Sequence, residues 1–141
     1  MGGTGKLEVL LVDCKDIRNT RFLGKMSPYL IVQYGNQERK SSVAKGRGTN
    51  PEWNETIEFD VDYPRDSVHK YKLVFMIMDK HKCCADEFNG ETKVYLEDVI
   101  SLGMKNGKME IHPMKYRVVL PNKKYAGEIK VGVTFTPDDS S

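Results

Sequence analysis

Apolar side chains recur at alternate positions along much of the chain. From Lys6 to Asp13, Leu7, Val9 and Leu11 fall on one face and Leu10 and Val12 on the other, the mark of a buried strand. Tyr29–Tyr34 is a second apolar run. Glu38–Ala44 is more polar and reads as a strand near an edge. Thr56–Val61 alternates Ile57, Phe59 and Val61 with Glu58 and Asp60, which predicts a half-buried strand. Tyr71–Met78 is apolar on both faces and is expected at the centre of a sheet. Short strands are predicted at Thr92–Tyr95 and Tyr116–Leu120, and a last one at Glu128–Phe135. Leu96–Met104 reads as one or two helical turns with Val99, Ile100 and Met104 inward.

Eight strands separated by turns, with one short helix, predict an all-β fold, an eight-stranded antiparallel β-sandwich. The 141 residues fit one domain over 1–136. A flexible tail is expected over 137–141, where Pro137, Asp138 and Asp139 stand.

Charge narrows the function. The 22 basic and 20 acidic side chains leave a net charge of +2. That excludes bulk polycationic binding of nucleic acid, so affinity for phosphate must come from a local patch. No apolar run reaches the roughly 20 residues of a membrane span. Met1–Lys6 lacks the apolar core of a secretory signal, and Lys6 stands where a myristoylation start would have Ser or Thr. Cys14, Cys83 and Cys84 make a poor disulfide framework and favour a reducing, cytoplasmic setting.

Five segments carry a family likeness. "GKLEVLLVDCKDI" leads to "FLGKMSPYLIVQYG"; "TNPEWNETIEF", "MDKHKCCADEFNG" and finally "AGEIKVGVTF" follow. Their order and spacing resemble the C2 domain, in the topology whose extra strand lies at the C-terminus (type II). "YGNQERKSSVAKG" and "YAGEIKVGVTF" are similar to the small plant single-C2 proteins called elicitor-responsive proteins and 16 kDa phloem proteins. The resemblance implies a cytoplasmic protein, peripheral at the plasma membrane, that meets anionic phospholipid; some relatives also bind RNA.

In that family, about five carboxylates from two loops hold calcium, a hard cation that takes 6–8 oxygens. Carried over by spacing, the first loop offers Arg21 and Ser27 where acids are expected. The third keeps Asp79, has His81 in place of an acid, and has Glu87 with Asp86 beside it. The candidate metal ligands are therefore Asp79, Glu87 and Asp86, an incomplete set. Calcium is expected to bind weakly or not at all, and no cofactor is required. Arg21 is expected to pair with Asp79 or Glu87 in the ion's place. Asp79 reads equally as a hydrogen-bonding loop end, and His81 more often as a plain exposed side chain. His81 with Cys83 and Cys84 gives three zinc-type groups where four are needed, and no second cluster appears.

Phe22 and Leu23 are suited to dip among lipid headgroups, while Arg21, Lys25, Lys80 and Lys82 meet phosphates. Phe88 is more readily a core cap. A second basic set, Lys40, Lys45 and Arg47 with Arg39, overlaps the region where many C2 domains carry a lysine cluster, although a solvated strand face explains it as well. Lys105, Lys108, Lys115, Arg117, Lys123 and Lys124 are interleaved with Tyr116 and Tyr125, which would allow stacking on RNA bases. Tyr29, Pro51, Trp53 and Asn54 read as structural. No nucleophile motif or phosphate-cradling glycine loop is present, so an enzyme is disfavoured. The expectation is a monomeric, non-catalytic module that docks on anionic phospholipid. The alternative is an RNA- or protein-binding transport adaptor.

Overall fold

The computed structural model describes residues 2–139, apart from the His69 side chain. Its elements run β1 (Gly3–Lys15), β2 (Pro28–Tyr34), β3 (Gln37–Lys40), β4 (Glu52–Tyr63), a 3-10 turn (Arg65–His69), β5 (Lys72–Asp79), β6 (Glu87–Tyr95), α1 (Glu97–Asn106), β7 (Met109–Val119) and β8 (Tyr125–Pro137). Hydrogen bonding orders the strands β3-β2-β5-β6-β7-β8-β1-β4. All pairs are antiparallel, but β6 and β7 share only Glu91↔Val119. The ladder turns there, giving two four-stranded layers. Leu30, Val32, Phe75 and Ile77 of one layer pack against Leu7, Val9, Phe59, Val131 and Phe135 of the other in a common core, the face-to-face arrangement of a sandwich.

The first and last strands of this order also meet. Gln37 Nε2 donates to Asp60 O at 2.7 Å, and Asp60 N donates to Gln37 Oε1 at 2.9 Å. Arg39 Nε donates to Glu58 O at 3.1 Å, with its guanidinium 5.3 Å from the Phe59 ring centroid. Side chains, rather than a backbone ladder, close the sheet.

Several boundaries differ from those the sequence predicts. β3 stops at Lys40, because Ser41–Pro51 forms a loop; Ser41 Oγ accepts from Leu30 N at 2.8 Å in place of a strand partner. β6 begins at Glu87, through residues that read as loop. β7 begins at Met109 and carries Pro113 at a register shift between Ile111 and Met114, where its missing N–H costs no ladder bond. β8 runs to Pro137, which pairs with Gly5, and Asp138 N donates to Thr4 O at 2.8 Å. The expected tail is thus tied down through Asp138, and residues 140–141 lie outside the described part.

A register shift between Leu11 and Asp13 in β1 changes the strand's parity, so Cys14 continues the buried face. α1 opens with Glu97 and Asp98 and carries Lys105 in its last turn, both favourable to the helix dipole. Its Gly103 lies so close to Phe135 that an added Cβ would sit 2.5 Å from the ring, which lets the helix pack flat on the strands.

This topology gathers four connections at one end: residues 16–27, 41–51, 80–86 and the turn 120–124. Backbone bonds lace three of them together, from Lys80 N to Ser27 O (3.0 Å), Gly48 N to Met26 O (2.9 Å) and Ile17 N to Thr49 O (3.2 Å).

Candidate functional site at the loop end

Asp79 closes β5 and falls on its core-facing side, so its carboxylate is 99% removed from solvent. A buried charge must find partners. Asp79 has four. Arg21 Nε donates to Oδ2 at 2.8 Å and Arg21 Nη2 to Oδ1 at 3.1 Å, a two-pronged pair. Ser27 N donates to Oδ1 at 2.8 Å, and His81 Nε2 lies 3.4 Å from Oδ2. The guanidinium reaches on to Lys80 O at 2.7 Å, so it also pins the third loop to the first. Its hydrogen bond to Asp79 raises the Arg21 pKa further.

Glu87, at the start of β6, is half exposed and lies 3.6 Å from His81 Nε2. His81 therefore sits between two carboxylates, only 21% exposed, which corrects its reading as a plain surface histidine. Asp86 does not join them. It accepts from Tyr29 OH at 2.6 Å and from His81 N at 3.0 Å, with Lys80 Nζ at 3.7 Å. Those bonds, the Tyr29 one first, hold its carboxyl below the usual range. Burial and then Asp86 push the Tyr29 phenol up to about 12. Tyr29 is structural, as expected, but through a partner the sequence did not suggest.

Of the three expected metal ligands, the fold thus brings Asp79 and Glu87 together and directs Asp86 elsewhere. Among the described residues, no group of three His, Cys, Asp or Glu side chains is arranged to hold a metal ion. The residues present do not fit calcium, because both Asp79 oxygens are already engaged by the guanidinium and a backbone amide.

Arg18 and Asn89 were invisible to sequence reasoning, since nothing in their spacing marks them. Arg18 Nη2 donates to Asn89 O at 2.7 Å, and the buried Asn89 returns Nδ2 to Arg18 O at 2.6 Å. This reciprocal clamp fixes the base of the first loop against β6. Asp16 N donates to Asn50 Oδ1 at 3.0 Å and Cys14 N to Pro51 O at 2.9 Å. With Trp53 buried, the Asn-Pro turn holds loop paths rather than ligands.

Beyond the clamp the first loop stands out into solvent. Phe22 is 98% exposed and Leu23 79%. Lys25, Lys80 and Lys82 stand in the loops of the same end, all exposed. Lys45 and Arg47 leave the strand face on which the sequence placed them. The early end of β3 carries them into the second tip loop, while Lys40 remains on β3 and Arg39 is committed to the seam. Lys123 and Lys124 occupy the tip turn, which the sequence reading assigned to a separate basic set. Phe88 is half-buried in β6, nearer to its core-capping role. Tyr116 packs against the core, and Arg117 stacks over Tyr125 at 5.2 Å. Of the two tyrosines read as base-stacking candidates, one is committed to packing and the other to a cation.

The four tip connections hold nine basic side chains and two acidic ones, Asp16 and Asp86, whereas the whole chain nets only +2. Among the described residues, no helix is long and apolar enough to cross a membrane.

Comparison with known proteins agrees with this architecture. The family model described as C2 domain matches residues 5–114. Elicitor-responsive protein 1 of Oryza sativa subsp. japonica is 46% identical over 139 residues, covering 96% of this chain and 87% of its own. The 16 kDa phloem protein 1 of Arabidopsis thaliana is 37% identical over 133 residues, covering 94% and 85%. A solved C2 domain-containing protein, ascribed to an elicitor-responsive gene, superposes with a TM-score of 0.75 at 37% identity, covering 100% of this chain and 96% of that one. On its strand order, its loop end and these likenesses, the chain belongs to the C2 domain family.

Proposed function

We propose that the chain is a non-catalytic docking module that binds anionic phospholipid through its loop end without needing calcium. One observation carries this reading: exposed Phe22 and Leu23 stand among cations at the end where Arg21 already occupies the place of an ion. In a calcium-dependent site, an empty pocket of carboxylates repels an acidic surface until metal neutralises it. Here the buried carboxylate is neutralised from within the chain, and the surrounding loops are basic in advance.

Magnitudes favour a reversible, salt-sensitive contact. Each cation near a charged leaflet contributes about 1 kcal/mol, so Lys25, Lys45, Arg47 and Lys82 together supply about 4. Burying Phe22 or Leu23 adds about 1.5–3 kcal/mol each. Neither share suffices alone against the cost of association. Such a module would work in the cytoplasm and meet the inner face of the plasma membrane.

Sedimentation with phosphatidylcholine–phosphatidylserine vesicles, with calcium or with a chelator and at two salt concentrations, tests the reading. Binding that ignores calcium and falls with salt is expected. Binding that appears only with calcium would overturn it, as would no lipid binding together with retention of RNA.

A further inference from the structure

We propose that Cys83 and Cys84 form an S-acylation site, at which a fatty acyl group from an acyl thioester converts transient docking into lasting attachment. This deepens the docking reading and rests on it. Both thiols are free and exposed in the third tip loop, between Lys82 and Asp86. The third loop is bound to the first where Arg21 Nη2 donates to Lys80 O at 2.7 Å, and Arg21 immediately precedes exposed Phe22 and Leu23. The thiols therefore stand at the same end as the side chains suited to enter the headgroup layer, where long-chain acyl donors concentrate.

Other fates for the pair are less well supported. Adjacent Cα atoms are about 3.8 Å apart across a trans peptide, short of the usual 4.4–6.8 Å for a disulfide, so the two resist closing on each other. Cys14, the remaining thiol, is buried and unavailable as a partner. Metal chelation lacks ligands among the described residues.

In the reaction, the Cys83 or Cys84 thiolate attacks the carbonyl carbon of an acyl-coenzyme A. A new carbon–sulfur bond forms, the bond to coenzyme A breaks, and the leaving thiol takes up the proton released by the cysteine. No oxidant or reductant is consumed. One aromatic and one leucine give a weak anchor, and stable attachment ordinarily requires a second hydrophobic signal; the acyl chain supplies it at the place already turned toward lipid.

The test uses the full reduced chain, phosphatidylcholine–phosphatidylserine vesicles and palmitoyl-coenzyme A, with vesicle binding first measured by sedimentation without the acyl donor. Mass spectrometry should find a thioester on Cys83 or Cys84 that hydroxylamine removes. Release of the modified protein in high salt should slow by about tenfold or more. As a positional control, the Cys83→Ser/Cys84→Ser variant receives Val68→Cys at the far end, where the native side chain is 80% exposed. That thiol should acylate much more slowly on vesicles. Equal rates at both ends, or no thioester on a chain that does bind vesicles, would overturn the proposal alone. Failure to bind vesicles at all would remove the docking reading first and this inference with it.

Discussion

At the scale of single residues, Asp79 decides the character of the tip. Its burial obliges it to hold a counter-charge, and the chain supplies one in Arg21. Replacing that cation by an acid should return the pocket to a cation-seeking state. Calorimetric titration of Arg21→Asp with calcium should show binding created or strengthened relative to the parent; a silent variant would count against the substitution of guanidinium for metal. The Asp86–Tyr29 bond predicts pH limits on both sides. A carboxyl held below its ordinary value, near 3.9, contributes stability that is complete above that value and is lost as pH falls through the lower folded one. A phenol raised from about 10 to about 12 contributes stability that is complete below its ordinary value and is lost as pH climbs toward the folded one. Melting temperatures of Tyr29→Phe, followed from acid to alkali, should therefore vary less at both extremes than those of the parent.

At the scale of elements, β1 and β4 oppose two like charges. Glu8 lies directly across from Glu58, both exposed, while Lys6 is already bonded to Asp60. Opposed carboxylates weaken a strand pair, and a matched pair contributes about 0.2–1 kcal/mol. Glu58→Lys should raise the melting temperature by a few degrees, read by calorimetry; no rise would show that solvent screens the pair completely. The strands that sequence revealed best were those with uninterrupted alternation, such as Leu7–Val9–Leu11 and Ile129–Val131–Val133–Phe135, because both neighbours of each are strands and one face is wholly buried. β7 escaped in its first half, where Met109 and Ile111 are only partly buried and Pro113 breaks the pattern. The start of β6 escaped because Glu87, Asn89 and Gly90 carry loop-like chemistry; its Asn89 is in fact buried in the Arg18 clamp. The Arg21–Asp79 pair was legible because family spacing gave each a place. The redirection of Asp86 was not, since a hydroxyl on another strand decides it.

At the scale of the molecule, the charge asymmetry arises from topology. Basic residues scattered through four separate connections converge because each pair of strands returns the chain to the same end, something a linear charge profile does not display. Lys25→Glu/Lys82→Glu should weaken binding to phosphatidylserine vesicles by roughly a hundredfold or more at low salt. Lys105→Glu/Lys108→Glu, at the opposite end, should change it little; equal losses would mean that net charge, not its placement, drives docking. Closure of the sheet has its own consequence. The Gln37 carboxamide both gives and accepts a bond with Asp60, as a peptide group would, so it covers part of the outer margin of β4. An unclosed margin is a template for strand addition by a neighbouring molecule. A crowded leaflet, where many copies lie side by side, is where such stacking would start, and this one amide helps to keep each copy separate.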